Sequence, residues 1–183
     1  MPNNIIRTTS MLSKKMSTLL NKQIETEANA SSVYLAMASW VEYQGYEGAA
    51  SFLYGHSDEE RMHMLKLLRY VNERGGHGLV PAIKVPAKDF KSLGDIFEDL
   101  LKHEIKVSTE INKIVDAALE EKDFSTHNFL QWYVQEQMEE ERLARTVLDK
   151  FKLIGTDKGG LYLLDRELAS LSQGAGKPVA SKS

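Results

Sequence analysis

Glutamate and histidine recur in this chain where a helix ordinarily keeps its apolar stripe. In "HSDEERMHML", residues 56–65, Glu60 and His63 stand three apart, which puts both side chains on one face of a helix. A carboxylate and an imidazole at that spacing can ligate one metal ion, and Glu-x-x-His is the arrangement from which carboxylate-bridged di-metal bundles are built. Placing residues at about 100° per position repeats the observation on three more segments. Glu27 falls within the stripe Met16, Leu20, Ile24, Tyr34, Ala38 and Val41; Glu104 within Leu93, Phe97, Leu100, Ile111 and Val115; Gln137 and Glu140 within Leu130, Tyr133, Ala144, Leu148 and Phe151. Taken singly, each has an ordinary explanation: a glutamate at a stripe edge snorkels, a lone histidine is a hydrogen-bonded core residue, and "EEE" at 139–141 is a solvated face. Four segments with the same interruption require a cation, because several carboxylates in one core repel and are desolvated together. Arg61, Lys102, Lys106 and Arg142 lie off the stripe centres. A metal is therefore the better counter-charge, and a donor set of oxygen with one imidazole suits iron or manganese.

The elements that position these residues follow from punctuation. Prolines occur only at 2, 81, 86 and 178, leaving long tracts open to helix. Helix one is expected over Leu12–Tyr43, ending at "YQGYEG", and helix two over Glu47–Arg74, ending at "RGGHG". "GLVPAIKVPAKDF" is longer than a tight antiparallel turn needs and reads as a crossover. Helix three runs from the N-cap Ser92 to Lys122, helix four from Thr126 to Leu153, and "LYLLDRELASL" is a shorter amphipathic fifth. The expected fold is all-α: a four-helix bundle with one long crossover between helices two and three and a short C-terminal helix. Residues 1–10 read as a polar leader, 11–171 as the domain and 172–183 as a flexible tail.

Composition narrows the function classes. The 183 residues are 42% hydrophobic and 27% charged, as in ordinary globular domains. A net charge of −3, with 23 basic against 26 acidic residues and no basic block, argues against nucleic acid as a partner. The absence of cysteine removes disulfides, iron–sulfur clusters and thiol nucleophiles. No apolar run reaches membrane-spanning length and no signal-like leader is present, so a cytoplasmic location with no membrane partner is expected.

On "NKQIETEANASSVYLAMASW", "EGAASFLYGHSDEERMHM", "FLQWYVQEQMEEE" and "GLYLLDREL", the chain resembles the prokaryotic non-haem ferritins over nearly its whole length. The resemblance implies a ferritin-like cage of twenty-four identical subunits. Such a cage takes up Fe(II), oxidises it with dioxygen or hydrogen peroxide at an intrasubunit ferroxidase centre, and stores it as ferric oxyhydroxide. Carried over residue by residue, it implies a first iron on Glu27, Glu60 and His63 and a second on Glu60, Glu104 and Glu140. Gln137 lies beside the centre, Tyr34 matches a tyrosine close to it, and Glu59, Glu136, Glu139 and Glu140 match an additional outer iron site. Trp132 is a candidate electron donor and equally a packed core indole. His56 has no counterpart role in the resemblance and is expected to be a core or supporting histidine.

The sequence departs from related families. Helix four has no histidine three residues after a glutamate, which counts against bacterioferritin and weakens a haem-binding reading. Rubrerythrin-like enzymes need cysteine, and the DNA-protecting mini-ferritins lack a comparable fifth helix. The alternative from a different class is a structural, mineral-nucleating subunit without fast ferroxidase activity.

Overall fold

The computed structural model describes residues 10–155 and 157–172, so the expected leader and tail lie, apart from Ser10 and Ser172, outside the described residues. Within them the chain forms α1 (Lys14–Tyr43), α2 (Glu47–Glu73), α3 (Leu93–Glu120), α4 (Phe124–Ile154) and α5 (Lys158–Ser172), with no strand among the described residues. The caps explain the boundaries. Ser13 Oγ accepts from Met16 N at 2.9 Å and Ser92 Oγ accepts from Asp95 N at 3.1 Å, each satisfying an amide with no intrahelical partner. Helix α4 starts two residues before the expected Thr126, because Asp123 Oδ1 accepts from Thr126 N at 3.0 Å. Helix α5 likewise starts at Lys158 rather than Leu161, since Asp157 Oδ2 accepts from Gly160 N at 2.6 Å. In both places an aspartate inside a presumed loop is the cap.

Short turns join α1 to α2 and α3 to α4, making two antiparallel hairpins; α1 packs on both α2 and α3, and α5 packs on α2 and α4. The crossover between α2 and α3 lies along α1. Asn21 Oδ1 accepts from Leu79 N at 2.7 Å, and Asn29 Oδ1 accepts from Lys84 N at 2.9 Å. Helices α2 and α4 meet across large side chains, with Tyr70 and Phe129 stacked at 3.8 Å and His63 facing Tyr133 at 5.2 Å.

Helix α5 docks at the start of α2. Asp165 Oδ2 and Oδ1 accept from Gly48 N at 3.1 Å and Ala49 N at 2.8 Å, so a side chain from α5 caps α2, whose preceding residue makes no side-chain cap. A Cβ on Gly48 would stand 1.8 Å from the Asp165 carbonyl oxygen. The glycine is what lets the two backbones approach.

The apolar interior comes in two blocks. One contains Tyr34, Val41, Phe52, Leu53, Phe97, Leu100 and Val147; the other contains Met16, Leu20, Ile24, Leu67, Ile111, Leu130 and Tyr133. Buried Gln23, Glu27, His56, Glu60, His63, Glu104 and Gln137 come from all four long helices and run between them. Splitting one core into two apolar halves forgoes hydrophobic stabilisation and adds desolvation cost. Function is the natural reason to keep such a band.

Candidate metal centre

Each polar residue reaches the bundle interior because it sits at a stripe position of a long, capped helix. Glu27 on α1 is fully buried. Gln23, one turn earlier, donates its amide to Glu27 Oε1, while Glu27 Oε2 is buried with no hydrogen-bond partner. The ligand atoms of Glu27, Glu60 and His63 all lie within 4.8 Å of one another, and His63 Nδ1 is 3.2 Å from Glu60 Oε2. Burial, then the charge of Glu60, holds the Glu27 carboxyl well above the usual range. Glu60 is also pushed well up by burial; a hydrogen bond from Glu27 pulls it back, and Glu104, Glu140 and Glu59 push it further. The pair holds a proton where a cation would otherwise supply the positive charge.

The α3 carboxylate, Glu104, is held by two donors. Tyr34 donates its hydroxyl to Glu104 Oε1, and Gln137 Nε2 donates to Glu104 Oε2 at 3.1 Å and to the Glu104 main-chain oxygen at 3.2 Å. Burial raises Glu104 to about 7 against the lowering effect of the Tyr34 hydrogen bond. The Tyr34 hydroxyl is itself held well above its usual range by burial and then by Glu104, so it stays a donor. Tyr34 shares a helical face with Glu27, and the fold sets its hydroxyl on Glu104.

A second group of donors forms between α2 and α4. His56, Glu59 and Glu140 bring one ligand atom each to within 4.8 Å of one another. His56 Nδ1 is 3.0 Å from Phe52 O and His56 Nε2 is 3.1 Å from Glu140 Oε2. Burial opposes a charge on His56, but Glu140 outweighs it and raises the imidazole to about 9. Burial would raise Glu140, but His56 holds it below its ordinary value. Burial lifts Glu59 to about 7 against the pull of His56.

Of the remaining expected residues, Glu136 is half-buried and raised by burial, and Glu139 is exposed, with Gln135 Nε2 at 3.5 Å from its Oε1. The carboxylates expected for the outer site thus divide: Glu59 and Glu140 converge with His56, while Glu136 and Glu139 stand farther toward solvent. Trp132 stacks on Tyr133 at 4.5 Å, lies 5.4 Å from His63, and carries Lys66 Nζ 3.4 Å above its ring.

Sequence reasoning missed His56 as a partner of Glu140, and it missed Gln23 and Tyr133 beside Glu27. Gln23 had a local signal, since Gln and Glu four apart on one face can bond. The other two depended on which helices become neighbours.

The donor set is carboxylate oxygen with isolated imidazoles and no sulfur, which suits hard or borderline divalent ions. Orphaned Glu27 Oε2, buried without a donor, is what a cation would satisfy. Residues 17–154 match the ferritin-like domain family. The chain is 46% identical over 162 residues to a "Probable bacterial non-heme ferritin-like protein" of Haemophilus influenzae, spanning 88% of this chain and 98% of that one. It is 46% identical to a "Bacterial non-heme ferritin" of Campylobacter jejuni, spanning 88% and 97%. A crystal structure of an open-pore ferritin from the archaeon Archaeoglobus fulgidus superposes with a TM-score of 0.85 at 40% identity, covering 88% of this chain and 98% of that one.

Proposed function

The chain belongs to the ferritin family, and from that premise we propose that it is a cytoplasmic iron-storage ferritin that oxidises Fe(II) within each subunit and deposits the product as ferric mineral. The ferritin-like unit is taken to span residues 11–171, since α5 is tied to α2 through Asp165. Twenty-four copies of 20.6 kDa form a cage of about 490 kDa. What supports the reading most is one observation: the buried carboxylates Glu27 of α1 and Glu60 of α2 converge with His63, with Glu104 of α3 buried close enough to repel Glu60, and no lysine or arginine is buried among the described residues.

Iron is the substrate here. Glu27, Glu60 and His63 take one Fe(II); Glu60, Glu104 and Glu140 take the second; Glu59, Glu136 and Glu139, with Glu140, serve an outer position. Glu27 and Glu60 release their shared proton as Fe(II) enters. Gln137 and Tyr34 orient Glu104, and neither needs to bind iron itself. Carboxylate oxygens favour Fe(III) over Fe(II), so the site promotes electron loss. Two Fe(II) supply two electrons together, reducing dioxygen to the level of peroxide with two protons.

Fe(II) added anaerobically and then exposed to oxygen should give a fast transient absorbance in wild type. Glu60→Ala removes a ligand from both positions and should abolish that phase, whereas Glu139→Ala should keep the first turnover and alter iron stoichiometry. Slow mineral formation without the fast phase in wild type would sink the enzymatic reading. Equal loss of the first oxidation rate in both variants would sink the division of roles.

A further inference from the structure

Trp132 of α4 is an easily oxidised side chain set against the Glu27–Glu60–His63 group. Its ring lies 5.4 Å from that of His63 and stacks on Tyr133 at 4.5 Å and 11°, close enough for an electron to pass from the indole to the metal site. Two features oppose that loss. The indole Nε1 is buried and has no hydrogen-bond partner among the described residues, and an indole nitrogen can only donate. An oxidised ring therefore has nowhere to send its proton and stays a radical cation. Over the face of the ring sits Lys66 of α2, three residues beyond His63, with Nζ 3.4 Å from the ring centre. An ammonium in that place is attracted to a neutral indole and repelled by a cationic one. Even at the screening of bulk water, two unit charges so close change an equilibrium about fivefold or more. Glu136, whose charge also reaches Lys66, offsets part of the stronger effect that a drier site would give.

We propose that Lys66 acts through Trp132: its ammonium, seated on the indole face, holds the ring's electron in place so that the oxidant draws its electrons from Fe(II). This rests on the reading of the Glu27–Glu60–His63 group as a site of iron oxidation. The competing step arises whenever hydrogen peroxide meets a subunit holding a single Fe(II). Reducing one hydrogen peroxide to two waters consumes two electrons and two protons. The lone Fe(II) supplies one electron and becomes Fe(III); the other comes from Trp132, which becomes the radical cation. With Lys66 over the ring that second electron is held back, and complete reduction waits for a second Fe(II). The cation thereby favours paired oxidation of iron over damage to α4.

The test loads the full-length protein anaerobically with one Fe(II) per chain and adds one equivalent of hydrogen peroxide. The indole radical is read by freeze-quench electron paramagnetic resonance, and oxidised Trp132 by peptide mass spectrometry. Trp40 is the only other tryptophan, so Trp132→Phe assigns the signal. Lys66→Met removes the charge and should raise Trp132 oxidation per Fe(II) oxidised about fivefold or more. Lys66→Arg keeps a cation that stacks on aromatic faces and should stay near wild type. Equal yields in wild type and Lys66→Met, with Fe(II) oxidised in both, overturn the role of Lys66 and leave the ferritin reading intact. A Lys66→Arg yield as high as that of Lys66→Met also overturns it, because packing rather than charge would then protect the ring. Wild-type protein that leaves Fe(II) unoxidised overturns the iron reading and this inference together. Lys66→Gln is a second neutral variant, so the comparison stands if Lys66→Met does not fold.

Discussion

Replacing Glu104 by glutamine should stabilise the metal-free protein at pH 8 and leave it unchanged or slightly weaker at pH 5. The folded-state pKa of Glu104 is about 7 against an ordinary 4.5. A carboxyl raised in the folded state binds its proton more tightly there than in the unfolded chain. Its contribution to stability is therefore fully present below about pH 4.5 and is lost as pH rises through 7. At about 1.4 kcal/mol per pKa unit, the charged carboxylate costs on the order of 3 kcal/mol at pH 8. Glutamine removes that charge but offers one acceptor where Tyr34 and Gln137 both donate, so one hydrogen bond of about 1 kcal/mol is lost. The net gain is about 1–2 kcal/mol, or roughly 2–8 °C in melting midpoint for a chain of this size. Matched thermal melts of chelator-treated protein at the two pH values measure it. A Glu104→Gln variant that melts below wild type at pH 8, or shifts equally at pH 5 and pH 8, would refute the claim that the buried charge, rather than the hydrogen bonds, dominates this position.

Further outcomes follow from the same geometry. Because burial and neighbouring carboxylates raise Glu27, Glu60 and Glu104, anaerobic metal binding should release protons and tighten from pH 6 to pH 8. Calorimetry in buffers of different ionisation enthalpy reads this, and heats independent of buffer would contradict it. Asp165→Ala removes the cap on Gly48 and Ala49 and should cost about 0.5–2 kcal/mol, seen as faster proteolysis of α5 before the bundle melts; unchanged α5 protection would show the cap is idle. Gly48→Ala places a Cβ 1.8 Å from the Asp165 carbonyl oxygen and should displace α5 outright. An unshifted α5 in a crystal of that variant would contradict the close approach.

Much of this protein was determined within single helices. Few prolines, Ser13 and Ser92 as caps, and the glycines after α1 and α2 set the helices, because capping and turn chemistry act over three or four residues. Helical period likewise singled out Glu27, Glu60, His63, Glu104, Gln137 and Glu140 as inward-facing, and all of them lie in or beside the buried band. The starts of α4 and α5 were less legible, since Asp123 and Asp157 look like loop residues until their side chains are seen accepting from the helix. Only the tertiary structure decided which side chains face one another. Helical phase tells which way a residue points, not which helix stands opposite or at what height. So the partner of the Tyr34 hydroxyl is Glu104, Asp165 caps α2 at Gly48, and His56 meets Glu140 across the bundle.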